Sequence, residues 1–129
     1  MFLSLDFIYV PTDDVDEAAA RYVELLGGCL EWKVRGMGTV VACVRMTESD
    51  PVLLLSEHLT GENPILVYRV ADYASTVAAL RTQGLGPIRE LEIPHGPCAS
   101  FRAPGGQRFA VYELTRPDVA THFAGRLDE

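Results

Sequence analysis

An α+β fold built from two βαβββ units is predicted for this 129-residue chain by three observations. The first is the stretch 64–84. An apolar, β-branched and aromatic run, Ile65-Leu66-Val67-Tyr68-Arg69-Val70, leads to Asp72 as a helix cap. A helical pattern with Tyr73, Val77 and Leu80 on one face follows, and Gly84 ends it. The second is that the series occurs twice. Phe7-Ile8-Tyr9-Val10 is such a strand, and Asp14 caps a helix, with Glu17 three residues on completing a capping box. Ala18, Ala19, Tyr22, Leu25 and Leu26 form the apolar face, Gly27-Gly28 is the stop, and Ile8 and Leu66 take equivalent places. The third is that three β-rich runs follow each helix. The repeat predicts paired mixed four-stranded sheets with one helix on the outer face of each.

The elements fall in order. A strand over 3–10 turns through Pro11-Thr12-Asp13-Asp14 into a helix over 15–26. A strand over 29–34 carries Trp32. Gly36-Met37-Gly38 is a hairpin loop, and 39–46 returns antiparallel. After the turn Glu48-Ser49-Asp50-Pro51, the apolar run 52–56 reads as a strand buried on both faces, and Gly61-Glu62-Asn63-Pro64 joins the halves. The second unit has a strand at 65–70, a helix at 73–83 and a strand at 88–93. A Pro94-His95-Gly96-Pro97 loop, a strand at 98–102, a Pro104-Gly105-Gly106 turn and a strand at 107–114 complete it. In the tail, Thr115, Pro117 and Asp118 start a short helix through Phe123. The length fits one domain over 1–129, with units at about 3–60 and 64–114 and a tail at 115–129.

Composition narrows the function classes. No apolar run approaches the ~20 residues of a membrane span, and Asp6 with no basic stretch before it argues against a signal peptide. Cys29, Cys43 and Cys98 are odd in number and lack CxxC spacing, so they read as reduced, mostly buried thiols in a cytoplasmic protein. A net charge of −7 disfavours nucleic acid and anionic membrane surfaces as partners. Its blander meaning is solubility.

Two βαβββ units in this wording resemble the vicinal oxygen chelate superfamily, which holds glyoxalase I, extradiol dioxygenases, fosfomycin-resistance enzymes and bleomycin-resistance proteins. The resemblance rests on Leu5-Asp6-Phe7-Ile8-Tyr9-Val10-Pro11, on Tyr22 to Gly27, on Pro64 to Asp72, and on Phe101-Arg102-Ala103-Pro104-Gly105-Gly106-Gln107. The last matches the family's "DPxGN" turn with Ala103 and Gln107 in place of Asp and Asn. It covers about residues 3–114. It implies incurving sheets around a cavity, with metal ligands in the first and last strand of each unit. Carried over, those positions are Phe7, Ile65, Leu54 and Ala110. None can ligate a divalent ion, which needs oxygen or imidazole donors. The expectation is therefore no metal and no cofactor.

Strand alternation sorts the neighbours. It puts Leu5, Phe7 and Tyr9 on the cavity face, with Ile65, Val67 and Arg69, and with Leu54, Ser56 and His58. Ala110 and Tyr112 face in, while Glu57 and Glu113 face out. The candidate ligand-binding residues are Phe7, Tyr9, Trp32, Leu54, Ile65, Val67, Arg69, His95, Ala110 and Tyr112. Trp32 suits stacking on a planar or cationic ligand, or serves as a core aromatic. Arg69 suits a ligand carboxylate or phenolate, or a salt bridge to a surface acid. His95 suits general acid–base work, or is a solvated loop residue. His95 and Arg69 are the weak catalytic candidates. A filled cavity that binds nothing is the blandest outcome.

The first reading is a metal-free small-molecule binding protein of the bleomycin-resistance type, sequestering an antibiotic or metabolite. The alternative is a glyoxalase-like lyase, isomerase or dioxygenase relative acting on a small organic substrate, metal-independent if it is an enzyme. Edge strands that need cover, and the habit of single-chain members of the superfamily, point to a homodimer with Phe123 packing across the interface.

Overall fold

A computed structural model describes residues 1–36, 38–59 and 63–128, with the side chains of 120 and 121 excepted. Met37 of the expected hairpin loop, and Gly61 and Glu62 of the expected linker, lie outside the described residues.

The elements run β1 (Ser4–Pro11), α1 (Val15–Leu26), β2 (Cys29–Gly36), β3 (Thr39–Arg45), β4 (Val52–Ser56), β5 (Ile65–Arg69), α2 (Tyr73–Thr82), β6 (Arg89–Ile93), β7 (Gly96–Arg102), β8 (Arg108–Tyr112) and α3 (Asp118–Phe123). The order is βαβββ twice, plus the short third helix. The expected pair of four-stranded sheets is joined edge to edge into one eight-stranded sheet, β2-β3-β4-β1-β5-β8-β7-β6. It curls into a half-barrel. Within each unit the first strand pairs parallel with the last, β1 with β4 and β5 with β8. The join is antiparallel, β1 on β5, with Phe7 opposite Val67, Ile8 opposite Leu66 and Tyr9 opposite Ile65. Ile8 and Leu66 are the equivalent residues of the repeat, so the internal twofold passes between them.

Local chemistry explains the helices. The Asp14 carboxylate accepts from the Glu17 N–H at 3.0 Å, and the Asp72 carboxylate from the Ser75 N–H at 3.0 Å. Glu57 and Glu113, directed outward by alternation, cap the first turns from behind. Glu57 accepts from the Val15 N–H and Glu113 from the Tyr73 N–H, both at 2.8 Å. Each helix start thus has two carboxylates on its free N–H groups, where the helix dipole favours negative charge. Gly27, at φ 74°, closes α1 in the left-handed conformation that glycine adopts without strain.

Packing separates two faces. On the outer face, Val15 and Ala19 of α1 meet Val40, Ala42, Val44 and Leu55. Val77 and Leu80 of α2 meet Val70, Ala99, Phe101 and Val111. Each fully buried Val or Leu contributes roughly 1.5–3 kcal/mol over exposure. On the concave face, one cluster holds Cys43, Val52 and Leu54, and the other holds Ile65, Val67, Ile93, Cys98, Ala110 and Tyr112. Phe7 and Tyr9 pack against both.

Two β-bulges interrupt this alternation. The β1–β5 register shifts between Leu5 and Phe7, and the β2–β3 register shifts between Leu30 and Trp32. Asp6 and Glu31 are the extra residues. A bulge turns its extra side chain toward the face of its neighbour, so Asp6 joins Phe7 and Glu31 joins Trp32 on the concave side. The same shift sets Leu5 opposite Tyr68, which packs on the outer-face Phe109. Leu5 therefore does not face the cavity, contrary to simple alternation.

Candidate functional site

The concave face is filled at one end and open at the other. The open end is a cavity of ≈ 270 Å³. Of the ten sequence candidates, Phe7, Trp32, Arg69, His95 and Tyr112 line it. Tyr9, Leu54, Ile65, Val67 and Ala110 do not. They are the packed floor beside it, with Leu54 and Val67 each 1 % exposed. Burial also drives the Tyr9 hydroxyl pKa far above its usual value, the nearby Cys98 adding to the effect, so Tyr9 stays a neutral core phenol.

His95 is not a solvated loop residue. Pro94 and His95 form a tight two-residue turn, and β6 and β7 pair up to Ile93 opposite Gly96. The turn folds inward. The His95 ring lies 4.7 Å from the Phe7 ring and 5.9 Å from the Tyr112 ring, with the residue 8 % exposed. Its Nδ1 is out of solvent and has no hydrogen-bond partner among the described residues. Burial lowers its pKa below the ordinary histidine value; Asp6 opposes this and Arg116 reinforces it. The imidazole is therefore neutral at pH 7 and able to accept a proton.

Gly96 makes the turn fit. A Cβ there would lie 2.1 Å from the Glu113 carbonyl oxygen. Only glycine lets β7 run this close to the chain leaving β8.

Beside His95 is a polar group that alternation hid. Asp6 accepts from the Tyr112 hydroxyl at 2.5 Å and from the Ser4 hydroxyl at 2.6 Å. Arg69 stands with its Nε 3.8 Å from the same carboxylate, too long for a hydrogen bond. That Nε is buried and unpartnered among the described residues. The expected salt bridge of Arg69 to a surface acid is thus a loose pairing with an acid inside the cavity. The Arg69 side chain as a whole is 39 % exposed and lines the cavity, so the guanidinium stays within reach of an occupant.

The opposite wall carries a second polar group. Arg45 pairs with Glu31 and, at 3.3 Å, with Asp50. Cys43 lies between the walls, its thiol pKa pushed up to about 12 by burial, so it stays a protonated, slow-reacting thiol while covered. The roof comes from the last segment: Pro117, Val119, Phe123 and Ala124 line the cavity. Phe123 sets its ring 5.2 Å from that of Trp32. It thus seats on its own chain. Sequence reasoning missed Asp6, Glu31, Arg45 and Asp50. His58 is bonded to Ser56 at 2.5 Å and lies away from the cavity.

Among the described residues no group of three or more His, Cys, Asp or Glu is placed to hold a metal ion. Phe7, Leu54, Ile65 and Ala110, the positions at which the sequence resemblance implies ligands, are all packed in the concave face. The side chains at those four positions offer a divalent ion no oxygen or imidazole donor.

No protein-family model matches the sequence, and no curated protein matches it. Solved structures match it throughout. Methylmalonyl-CoA epimerase from Mycobacterium tuberculosis superposes with a TM-score of 0.73 at 20% identity, over 93% of each chain. The fold is that of the vicinal oxygen chelate superfamily. A Streptomyces coelicolor methylmalonyl-CoA epimerase variant, solved in complex with 2-nitronate-propionyl-CoA, gives 0.71 at 15% identity over 89% of this chain and 96% of that one. A hypothetical protein from Bacillus halodurans C-125 gives 0.72 at 15% identity over 88% and 95%. Identities this low establish the vicinal oxygen chelate fold and leave the chemistry to the cavity. No helix among the described residues is long and apolar enough to cross a membrane, which does not bear on β-barrels.

Proposed function

We propose that the chain is an isomerase- or lyase-type enzyme that moves a proton on a small organic substrate without a bound metal. The observation that carries this reading is that His95, buried and neutral with an unpartnered Nδ1, and the Arg69 guanidinium line the same cavity. A neutral imidazole takes a proton from a carbon next to a carbonyl. The electron pair moves onto the carbonyl oxygen, and the Arg69 guanidinium donates to the enolate that forms. This is the stabilisation a metal gives elsewhere in the superfamily. Return of the proton to carbon completes an isomerisation. Departure of a group on the adjacent carbon completes an elimination. Asp6, held by Tyr112 and Ser4, fixes the charge beside the imidazole.

The likeness to methylmalonyl-CoA epimerases supports the isomerase class. The ≈ 270 Å³ cavity suits a compact substrate, or the reacting end of a longer one. A second reading, the metal-free binding protein of the bleomycin-resistance type, draws on the aromatic wall of Phe7, Trp32 and Phe123, which proton transfer does not need. Turnover by chelator-treated protein, lost in His95→Gln with the melting temperature retained, tests the enzyme reading. Compounds that raise the melting temperature and are recovered unchanged, with none turned over, return the case to the binding reading.

A further inference from the structure

We propose that residues 117–124 are a lid over the cavity, hinged on the backbone of His95 and latched along β2. At the hinge, the N–H groups of Thr115 and Arg116 both donate to the His95 carbonyl, at 3.0 and 3.1 Å. The Arg116 guanidinium adds bonds to the carbonyls of Ile93 and Pro94, each at 2.7 Å. At the latch, the Gly125 N–H donates to the Glu31 carbonyl at 3.2 Å and the Lys33 N–H to the Arg126 carbonyl at 2.7 Å. The Asp128 N–H donates to the Lys33 carbonyl at 2.9 Å. The Asp128 carboxylate accepts from the Arg35 N–H at 2.9 Å. β2 is the outer strand of the sheet, and Leu127 forms a parallel bridge with Lys33 on its free edge.

Between hinge and latch the segment lies over the cavity. It contributes Pro117, Val119, Phe123 and Ala124 to the wall, and Phe123 is its seal on Trp32. α3 has six residues, too few to be stable alone, so its place is set by its two ends and that seal. Breaking the few edge bonds of the latch frees it while the eight-stranded sheet stays intact, a local opening rather than unfolding. The hinge bonds the lid to the residue that carries the proposed chemistry, so closure and the setting of His95 are coupled. The lid holds whether the occupant is transformed or only bound, and its test needs no substrate.

The three native thiols report on it in the full-length chain. Cys43 lies in the cavity beneath the lid at 2 % exposure. Cys98 is 5 % exposed in the packed cluster with Ile65 and Ala110, outside the cavity, and Cys29 is exposed. N-ethylmaleimide labelling at pH 8 is followed for each cysteine by peptide mass spectrometry. The proteins are the wild type, the latch variants Asp128→Ala and Asp128→Asn, and the seal variant Phe123→Ala. Cys43 labelling is expected to accelerate in Asp128→Ala by about tenfold or more, the scale of losing one hydrogen bond to a carboxylate, and to accelerate also in Phe123→Ala, which removes the ring contact with Trp32. Cys98 is expected to keep its wild-type rate, and acrylamide quenching of Trp32, the single tryptophan, to rise in Phe123→Ala. Unchanged Cys43 labelling in every variant overturns the lid. So does acceleration of Cys43 and Cys98 together, which marks general loosening.

Discussion

Tyr112 donates its hydroxyl to the Asp6 carboxylate at 2.5 Å, tying the first strand of the first unit to the last strand of the second across the cavity floor. Asp6 is 15 % exposed in its side chain, so the bond is largely screened from water. Tyr112→Phe leaves the carboxylate with Ser4 and a loose Arg69. Loss of a hydrogen bond to a charged group costs about 1.5–3 kcal/mol, and urea unfolding is expected to show a decrease of that size.

Acid is expected to weaken the fold through His95. Its pKa is lowered in the folded state by burial. Above the ordinary histidine pKa of about 6.5 neither folded nor unfolded chain carries the proton, and this group has no effect on the slope. Below it the unfolded chain takes up a proton that the folded one refuses, so stability falls until the pH reaches the lower folded value. Denaturation midpoints between pH 7 and 5 are expected to decline more steeply in the wild type than in His95→Gln. Equal slopes would show that His95 does not set the acid sensitivity.

Gly96→Ala is expected to be among the most damaging single substitutions. The added Cβ would sit 2.1 Å from the Glu113 oxygen, and the glycine holds φ 155°. Backbone must move to make room, at a cost on the order of 3 kcal/mol or more. A melting temperature within a degree or two of wild type would show that the turn accommodates a side chain.

A homodimer remains the expectation. Leu25 and Leu26 at the end of α1 are 66% and 62% exposed, and Val23 is 39% exposed, an apolar cluster that a monomer leaves in water. Light scattering at micromolar concentration is expected to give twice the 14.2 kDa of one chain. A mass of one chain contradicts this.

The fold was legible because its signals are local and occur twice. Asp14 and Asp72 cap, Gly27 and Gly84 stop, and the Ile8–Leu66 equivalence locates the strands that meet at the twofold. The cavity was half legible. Alternation counted from Phe7 leads correctly to Arg69 and Tyr112, which share its face. It fails at Asp6 and Glu31, because a bulge is defined by the partner strand and leaves no mark in a single run of residues. His95 reads as loop because Pro and Gly surround it. Its burial comes from the rings of Phe7 and Tyr112, distant in sequence. Which half of the concave face stays open depends on side-chain volumes summed across strands and on where the last segment lies.

Proton transfer by a neutral His95 is tested most directly by hydrogen–deuterium exchange at carbon. Chelator-treated protein is incubated in heavy water at pD 7.5 with a panel of compact α-oxo acids, hydroxyketones and malonyl-type thioesters, and the carbon-bound protons are followed by proton NMR. Exchange at the carbon next to the carbonyl is expected to be accelerated for at least one compound, and to return to the protein-free rate with His95→Gln. Compounds that shift the melting temperature yet exchange no faster than in buffer, or exchange that persists undiminished in His95→Gln, would contradict it.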